Sequence, residues 1–258
     1  MDSNEIDRID ASMGLLPLVE PHFAKALEEK QNLEEKIDKL PDTDTDTVFV
    51  EGPSDKLLLK TALELFFPEG TRCINIVCAP KFGGGHSWVA DQMIAWAYLR
   101  TQSRAVGLFD QDQCAHESRK RATHTIGNNK RQKTYCIHLE PNENVKSILQ
   151  KIKIPFAVEE LFRDTDWNTA ENNGWLTEKS DNLPGLYGHN DPNSSFLDTL
   201  REKFPEYPKR RIVWYKIRGD SKKQFVDYLT SLQGAEKEEA FQGLKPTIKK
   251  IKENFRRK

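Results

Sequence analysis

Apolar positions early in the chain recur at helical spacing. Phe23, Leu27, Leu33, Ile37 and Leu40 fall among charges within residues 11–40, which predicts a partly amphipathic helix after the break at Pro21. The acidic stretch PDTDTDT then marks a boundary. From residue 47 the pattern changes to short apolar runs separated by longer mixed ones. TVFV (47–50), CINIVC (73–78), RAVGLF (104–109) and TYCIHL (134–139) predict strands. SDKLLLKTALELFF with Ser54 as N-cap, SWVADQMIAWAYLR, and NENVKSILQKI with Asn142 as N-cap predict helices between and after them. Such alternation predicts parallel βαβ units with helices on both faces, an α/β fold.

Residues 164–196 are rich in Asn, Asp and Gly and carry little periodicity, which predicts a long loop. RIVWYKI (211–217) predicts a further strand, SKKQFVDYLTSL (221–232) a helix, and TIKKIKENFRRK (247–258) a basic terminal helix. No internal repeat is present. The chain thus divides into a helical segment with acidic linker (1–46), an α/β core (47–150) and a carboxyl-terminal α/β extension (151–258).

At 258 residues the chain can bury a sizeable core without disulfides or structural metals. Lysine and arginine total 39 against 40 acids, so net charge selects no partner and only its distribution can. The start MDSNEIDRID has no apolar signal region, and with four cysteines it predicts a reducing, cytoplasmic setting. No apolar run approaches the ~18 residues needed to cross a bilayer, so no membrane role is expected.

The chemistry lies at the strand ends. In an open parallel sheet, ligands bind outside the carboxyl ends of the strands. Glu51 directly follows the first strand and Asp110 the third, so both carboxylates are expected at one edge, with Asp112 beside Asp110 and Asp55 in the first helical turn. Carboxylates brought together repel one another unless a cation sits among them, and hard oxygen donors suit magnesium or manganese. An Asp-x-Asp after a strand is commonplace. A strand, EGPSD and a helix, followed about two βα units later by a strand and DQD, is a far less frequent combination.

VFVEGPSD and VGLFDQDQ together resemble the motifs of the TOPRIM domain, shared by topoisomerases, bacterial primases and several nucleases. The EGPSD spelling is most similar to the OLD family (overcoming lysogenization defect) of defence nucleases. The resemblance covers residues 47–150. It implies a Rossmann-like parallel sheet and a Mg²⁺- or Mn²⁺-dependent nuclease acting on DNA or RNA. It implies Glu51 as metal ligand or general base, Asp110 and Asp112 as the metal-binding pair, Asp55 as a further ligand, and Lys222 or Lys223 as the late lysine steadying the transition state. No G-x-x-x-x-G-K-[ST] loop occurs, so the ABC-type ATPase that accompanies OLD nucleases is expected as a separate subunit in prokaryotic antiviral defence. A homo-oligomer is compatible. The rival reading is a DNA-binding TOPRIM protein of recombination or repair that does not cut.

Other signals are weaker. KFGGGHSW (81–88) lacks dinucleotide-site spacing; its glycines suit either a tight turn or phosphate contact, with Lys81 and His86 as candidate nucleic-acid contacts. HESRKRATHTIGNNKRQK (116–133) reads as a positive loop beside the acids, with Arg119, Lys120, Arg121, Lys130, Arg131 and Lys133 as candidates for backbone binding. Cys114-x-His116 and Cys136-x-His138 have a single-residue spacer, unlike the usual zinc knuckle. Glu140 and Glu143 follow the fourth strand, and Glu143 is a candidate ligand that could equally serve the following helix. Gly52 is expected to let the chain turn away from Glu51.

Overall fold

The structure is a computed structural model that describes residues 21–31, 44–69, 73–80, 85–99, 102–127, 133–151, 154–179, 202, 204–206 and 209–256. The chain forms two compact units, Met1–Pro41 and Asp42–Lys258. In the first, residues 21–31 form a helix with Phe23 and Leu27 exposed. Leu33, Ile37 and Leu40 lie outside the described residues.

The second unit is built on a parallel sheet of β1 (Asp46–Val50), β2 (Ile74–Cys78), β3 (Ala105–Phe109) and β4 (Thr134–His138), ordered β2-β1-β3-β4. Between the strands run α1 (Pro53–Phe66), α2 (Gly85–Leu99) and α3 (Gln113–Ile126), and α4 (Glu143–Leu149) follows β4. This is the parallel α/β architecture that the alternating pattern predicts, and it is Rossmann-like in form. β1 and β3 lie inside the sheet between helical layers, so their side chains are buried on both faces.

The order of strands follows from the crossovers. From β1 the chain steps outward to β2 through α1, then returns across β1 to β3 through α2; right-handed connections in opposite directions place those helices on opposite faces. On one face Phe49 packs edge-on against Trp96 and Trp88, with ring centroids 5.6 and 5.8 Å away. Gly107 permits this layer's close approach, since a Cβ there would lie 2.6 Å from Met93 Cγ. On the other face Val48, Val50, Val106 and Leu108 join α1 and the carboxyl-terminal segment in one apolar cluster reaching Ile251. No helix among the described residues is long and apolar enough to cross a membrane.

The carboxyl-terminal segment comprises α5 (Asp164–Asn172), β5 (Leu176–Glu178), α6 (Lys209–Trp214), β6 (Tyr215–Ile217), α7 (Lys222–Ser231), α8 (Gly234–Phe241) and α9 (Lys245–Arg256), with β5 and β6 paired antiparallel. Three expectations change. The loop expected over 164–196 begins instead with α5 and β5, while residues 180–196 lie outside the described residues. α5 carries few apolar residues, but Trp167 and Ala170 bury at i, i+3, and the Arg163 guanidinium donates to both oxygens of buried Asp166 at 3.0 and 2.9 Å. The strand expected over 211–217 is α6 followed by β6, because Arg211, Ile212, Val213 and Trp214 are all buried and leave no period to read. The basic loop expected from 116 is largely α3. α8, which carries Ala240 and Phe241 into the core, has no counterpart in the expected elements.

Candidate functional site

β1 and β3 flank the point where the strand order reverses, the place outside the carboxyl ends of the strands where an open α/β sheet has its ligand crevice. Glu51 and Asp110 both lie there. Glu51 Oε1 accepts a hydrogen bond from the Asp110 amide at 3.1 Å, tying the two strand ends together. Asp55 approaches from the first turn of α1, where its carboxylate accepts from the Gly52 backbone and the helix dipole favours an acid. Gly52, not Ser54, is the N-cap, with Pro53 at the first helical position. Gly52 has φ −151° and ψ 172°, extended backbone open to any residue, so turning is not what calls for glycine. Gly85 opens α2 at φ +34°, and a Cβ there would stand 3.5 Å from Glu51 Oε2.

Asp112 is the N-cap of α3, its Oδ1 accepting from the Ala115 amide at 2.7 Å. Its charge still reaches Glu51. The loop between Asp110 and Asp112 is held from two sides. Gln111 donates its amide to Phe156 O at 2.9 Å, and His138 Nδ1 donates to Asp110 O at 2.8 Å. Nδ1 carries a proton because Asp110 O can only accept, and burial, against that hydrogen bond and with the charges of Arg119 and His116, lowers the His138 pKa.

Two further residues complete the cluster from the carboxyl-terminal segment. Glu159 lies in the 3₁₀ turn Val158–Leu161, which the Trp167 indole (3.3 Å to Glu159 O) and the buried Lys179–Glu160 pair (2.8 Å) fasten in place. Lys222 begins α7 and pairs with Glu159 at 2.7 Å. α7 packs on α1, and that contact brings Lys222 beside Asp55. Glu159 has no motif around it in the sequence. Of the two late lysines, Lys222 faces the acids, whereas Lys223, one position round the helix, is exposed.

The electrostatics follow from this crowding. Burial pushes Glu51 up to about 7; the Asp110 amide opposes the rise, while the charges of Asp55 and Asp112 add to it. Burial and then Glu159 push Asp55 up to about 7, against Lys222. Asp110 is raised well above its ordinary value by burial, then by Glu51, Asp55 and Glu159. For Lys222 burial works the other way, yet Glu159, Asp55 and Asp110 outweigh it and raise the ammonium's pKa. A cavity of about 10 Å³ lies among Glu51, Asp55, Asp110, Leu59, Leu139 and Leu244, roughly the room that one water requires.

Among the described residues no three His, Cys, Asp or Glu side chains form a ready coordination set. Their oxygens are otherwise engaged: Glu51 with the Asp110 amide, Asp55 with Gly52, Asp112 with its cap and Glu159 with Lys222. Glu51, Asp55, Asp110 and Asp112 remain the hard oxygen donors at the crevice.

Other candidates fall elsewhere. Glu143 does not join the acids; it stands in the first turn of α4, 89% exposed and paired with Lys146 at 2.7 Å, because Asn142 caps that helix and turns it outward. Glu140 pairs with Lys250. The α3 cations are not a loop over the crevice. α3 starts at the acids and runs away from them, so Arg119, Lys120 and Arg121 lie about 10–14 Å along its axis. Arg119 donates to Cys136 O, and Arg121 pairs with Asp91 at 3.1 Å. Lys133 precedes β4 at the opposite end of the sheet and donates to Gln102 O. His86 Nδ1 lies 2.9 Å from Ser118 Oγ, bridging α2 and α3. Lys81, Lys130 and Arg131 lie outside the described residues. Burial pushes the Cys136 thiol up to about 12, far from the thiolate that zinc requires, and Cys114 is exposed.

No protein-family model, curated protein or solved structure matches the chain.

Proposed function

We propose that this chain is a metal-dependent nuclease that hydrolyses phosphodiester bonds of DNA or RNA, with residues 47–150 forming a TOPRIM core most similar to that of the OLD family. The observation that carries the reading is the gathering of Glu51, Asp55 and Asp110, with Asp112, Glu159 and Lys222 around them, at the switch point of a parallel sheet. Stability alone does not call for such a cluster, since like charges are buried together there at a cost.

The donor set fits Mg²⁺ or Mn²⁺: hard oxygens, no thiolate, and carboxyls that a divalent cation would relieve of their mutual repulsion. Glu51, Asp55, Asp110 and Asp112 would hold it. Bound there, such a cation supplies charge to the phosphoryl transition state. Glu51, at the end of β1, is the carboxylate placed to accept a proton from the attacking water where it does not itself hold the cation. Lys222 presents an ammonium at the same crevice for the charge that develops on the phosphoryl oxygens, and Glu159 keeps it in position. The family likeness adds a place in prokaryotic antiviral defence, in the cytoplasm, beside a separate ABC-type ATPase subunit.

The test is incubation of the purified protein with supercoiled plasmid, single-stranded DNA and tRNA, each with Mg²⁺, Mn²⁺ or EDTA. Cleavage that requires metal, and that Glu51→Ala and Asp110→Ala abolish while the fold persists, is the expected result. Absence of metal-dependent cleavage of every substrate, both alone and with any ABC-type ATPase encoded beside it co-expressed, sinks the nuclease reading.

A further inference from the structure

The last helix carries a charge pattern that the acid cluster does not use. Along α9, Lys245, Lys249, Lys252 and Arg256 recur at spacings of four, three and four, which at ~100° per residue gathers them within about 60° of one another. Thr247, Ile248, Ile251 and Asn254 take the buried face. All four cations line one open groove of about 680 Å³, walled by Phe66, where Glu253 is the sole acid among the described residues. Like charges at i, i+3 and i, i+4 destabilise a helix by a few tenths of a kcal/mol per pair. A polyanion in the groove removes that repulsion.

The aromatic rings at this edge narrow the ligand. The Lys245 ammonium lies 5.4 Å from the Phe66 ring centroid, and that of Lys252 lies 4.1 Å over Phe67. Their faces are covered by cations, so they offer no bare platform on which unpaired bases could stack. What remains is a straight row of cations about 17 Å long, suited to phosphates rather than bases.

We infer that α9 and the end of α1 bind the phosphate backbone of a nucleic-acid duplex at a site separate from the acids. The substrate class rests on the nuclease reading, whereas the charge pattern stands without it. α1 connects the two places, with Asp55 in its first turn and Phe66 at its end, about 17 Å apart along the axis. One duplex turn of ~34 Å can span both.

Fluorescence anisotropy of labelled duplex DNA, duplex RNA and the corresponding single strands, in EDTA over a salt series, tests this with the full chain and the double variant Lys249→Glu/Arg256→Glu. Both positions are exposed, and an unchanged melting temperature certifies the fold. Duplex affinity should fall at least ~10-fold, and the slope of log affinity against log salt should shrink by about 2. Lys249→Arg should bind as the parent does. Unchanged affinity and slope, tighter binding of single strands through these residues, or an effect confined to phosphatidylglycerol vesicles overturns the proposal. Binding requires no metal, so the two readings separate. Groove-dependent binding without cleavage refutes the nuclease alone, and cleavage with groove-independent binding refutes the duplex site alone.

Discussion

Glu51→Gln isolates the electrostatic strain of the acid cluster. A carboxyl raised from 4.5 when unfolded to about 7 when folded keeps its proton longer in the native state, so stability is lost as pH climbs through that window. Below 4.5 the group is protonated in both states and exacts no penalty. Above 7 it is ionised in both, and at ~1.4 kcal/mol per pH unit the full loss is about 3 kcal/mol. Glutamine preserves the shape, and its Oε1 can still accept the Asp110 amide now held at 3.1 Å. In EDTA at pH 8 the variant should therefore be more stable than the parent by up to about 3 kcal/mol, or roughly 6–12 °C in melting temperature for a unit of this size. The difference should shrink to nothing near pH 4.5. Millimolar Mg²⁺ or Mn²⁺ should close most of that gap at pH 8, since a cation at 100 times its dissociation constant stabilises the parent by about 2.7 kcal/mol. Thermal melts from pH 4.5 to 9, with EDTA or metal, provide the measurement. A parent protein whose stability is flat or rises across that range in EDTA, or a variant no more stable than the parent at pH 8, refutes the reasoning.

Lys222→Met should lower stability at pH 8 in EDTA by about 2 kcal/mol, between the ~1 kcal/mol of an exposed pair and the 3–5 kcal/mol of a buried one. That loss should be smaller at pH 5, where Glu51 and Asp55 have taken up protons, leaving the contribution of the 2.7 Å pair with Glu159, and denaturant titrations of Lys222→Met and Lys223→Met should differ; equal effects would remove Lys222 from the site. Asp112→Ala should cost about 1 kcal/mol through the lost N-cap of α3, whereas Asp112→Asn should keep the cap. If Asp112 also binds metal, nucleic-acid cleavage falls in both variants, and activity retained by the asparagine form limits it to capping. Gly107→Val forces a Cβ within 2.6 Å of Met93 Cγ and should destabilise by about 1–3 kcal/mol, read as a lower denaturant midpoint at unchanged slope.

Much of the fold was legible because its signals are local. TVFV and RAVGLF are short apolar runs of the length and β-branched composition that suit a strand covered on both faces, and each is followed by an acid at the sheet edge. The α5 region was not legible, since its two inward residues, Trp167 and Ala170, sit in a stretch of Asp, Thr and Asn that resembles a loop. α6 was misread for the opposite reason: Arg211 to Trp214 are buried on every side, and no helical period survives.

The same division runs through the site. Glu51, Asp55, Asp110 and Asp112 are set by the sequence alone, because a strand's end and the first turn of the next helix fix where a side chain emerges, and parallel strands bring their carboxyl ends to one edge. Glu159, the choice of Lys222 over Lys223, and the exclusion of Glu143 were decided by tertiary structure. Glu159 lies more than a hundred residues from Asp55 along the chain and reaches it only because Gln111 pairs with Phe156 and Trp167 holds the turn. Lys222 arrives through the packing of α7 on α1, and Glu143 departs because Asn142 caps α4 outward. No local spacing encodes these approaches; they exist only once the apolar cluster has closed around β1 and β3.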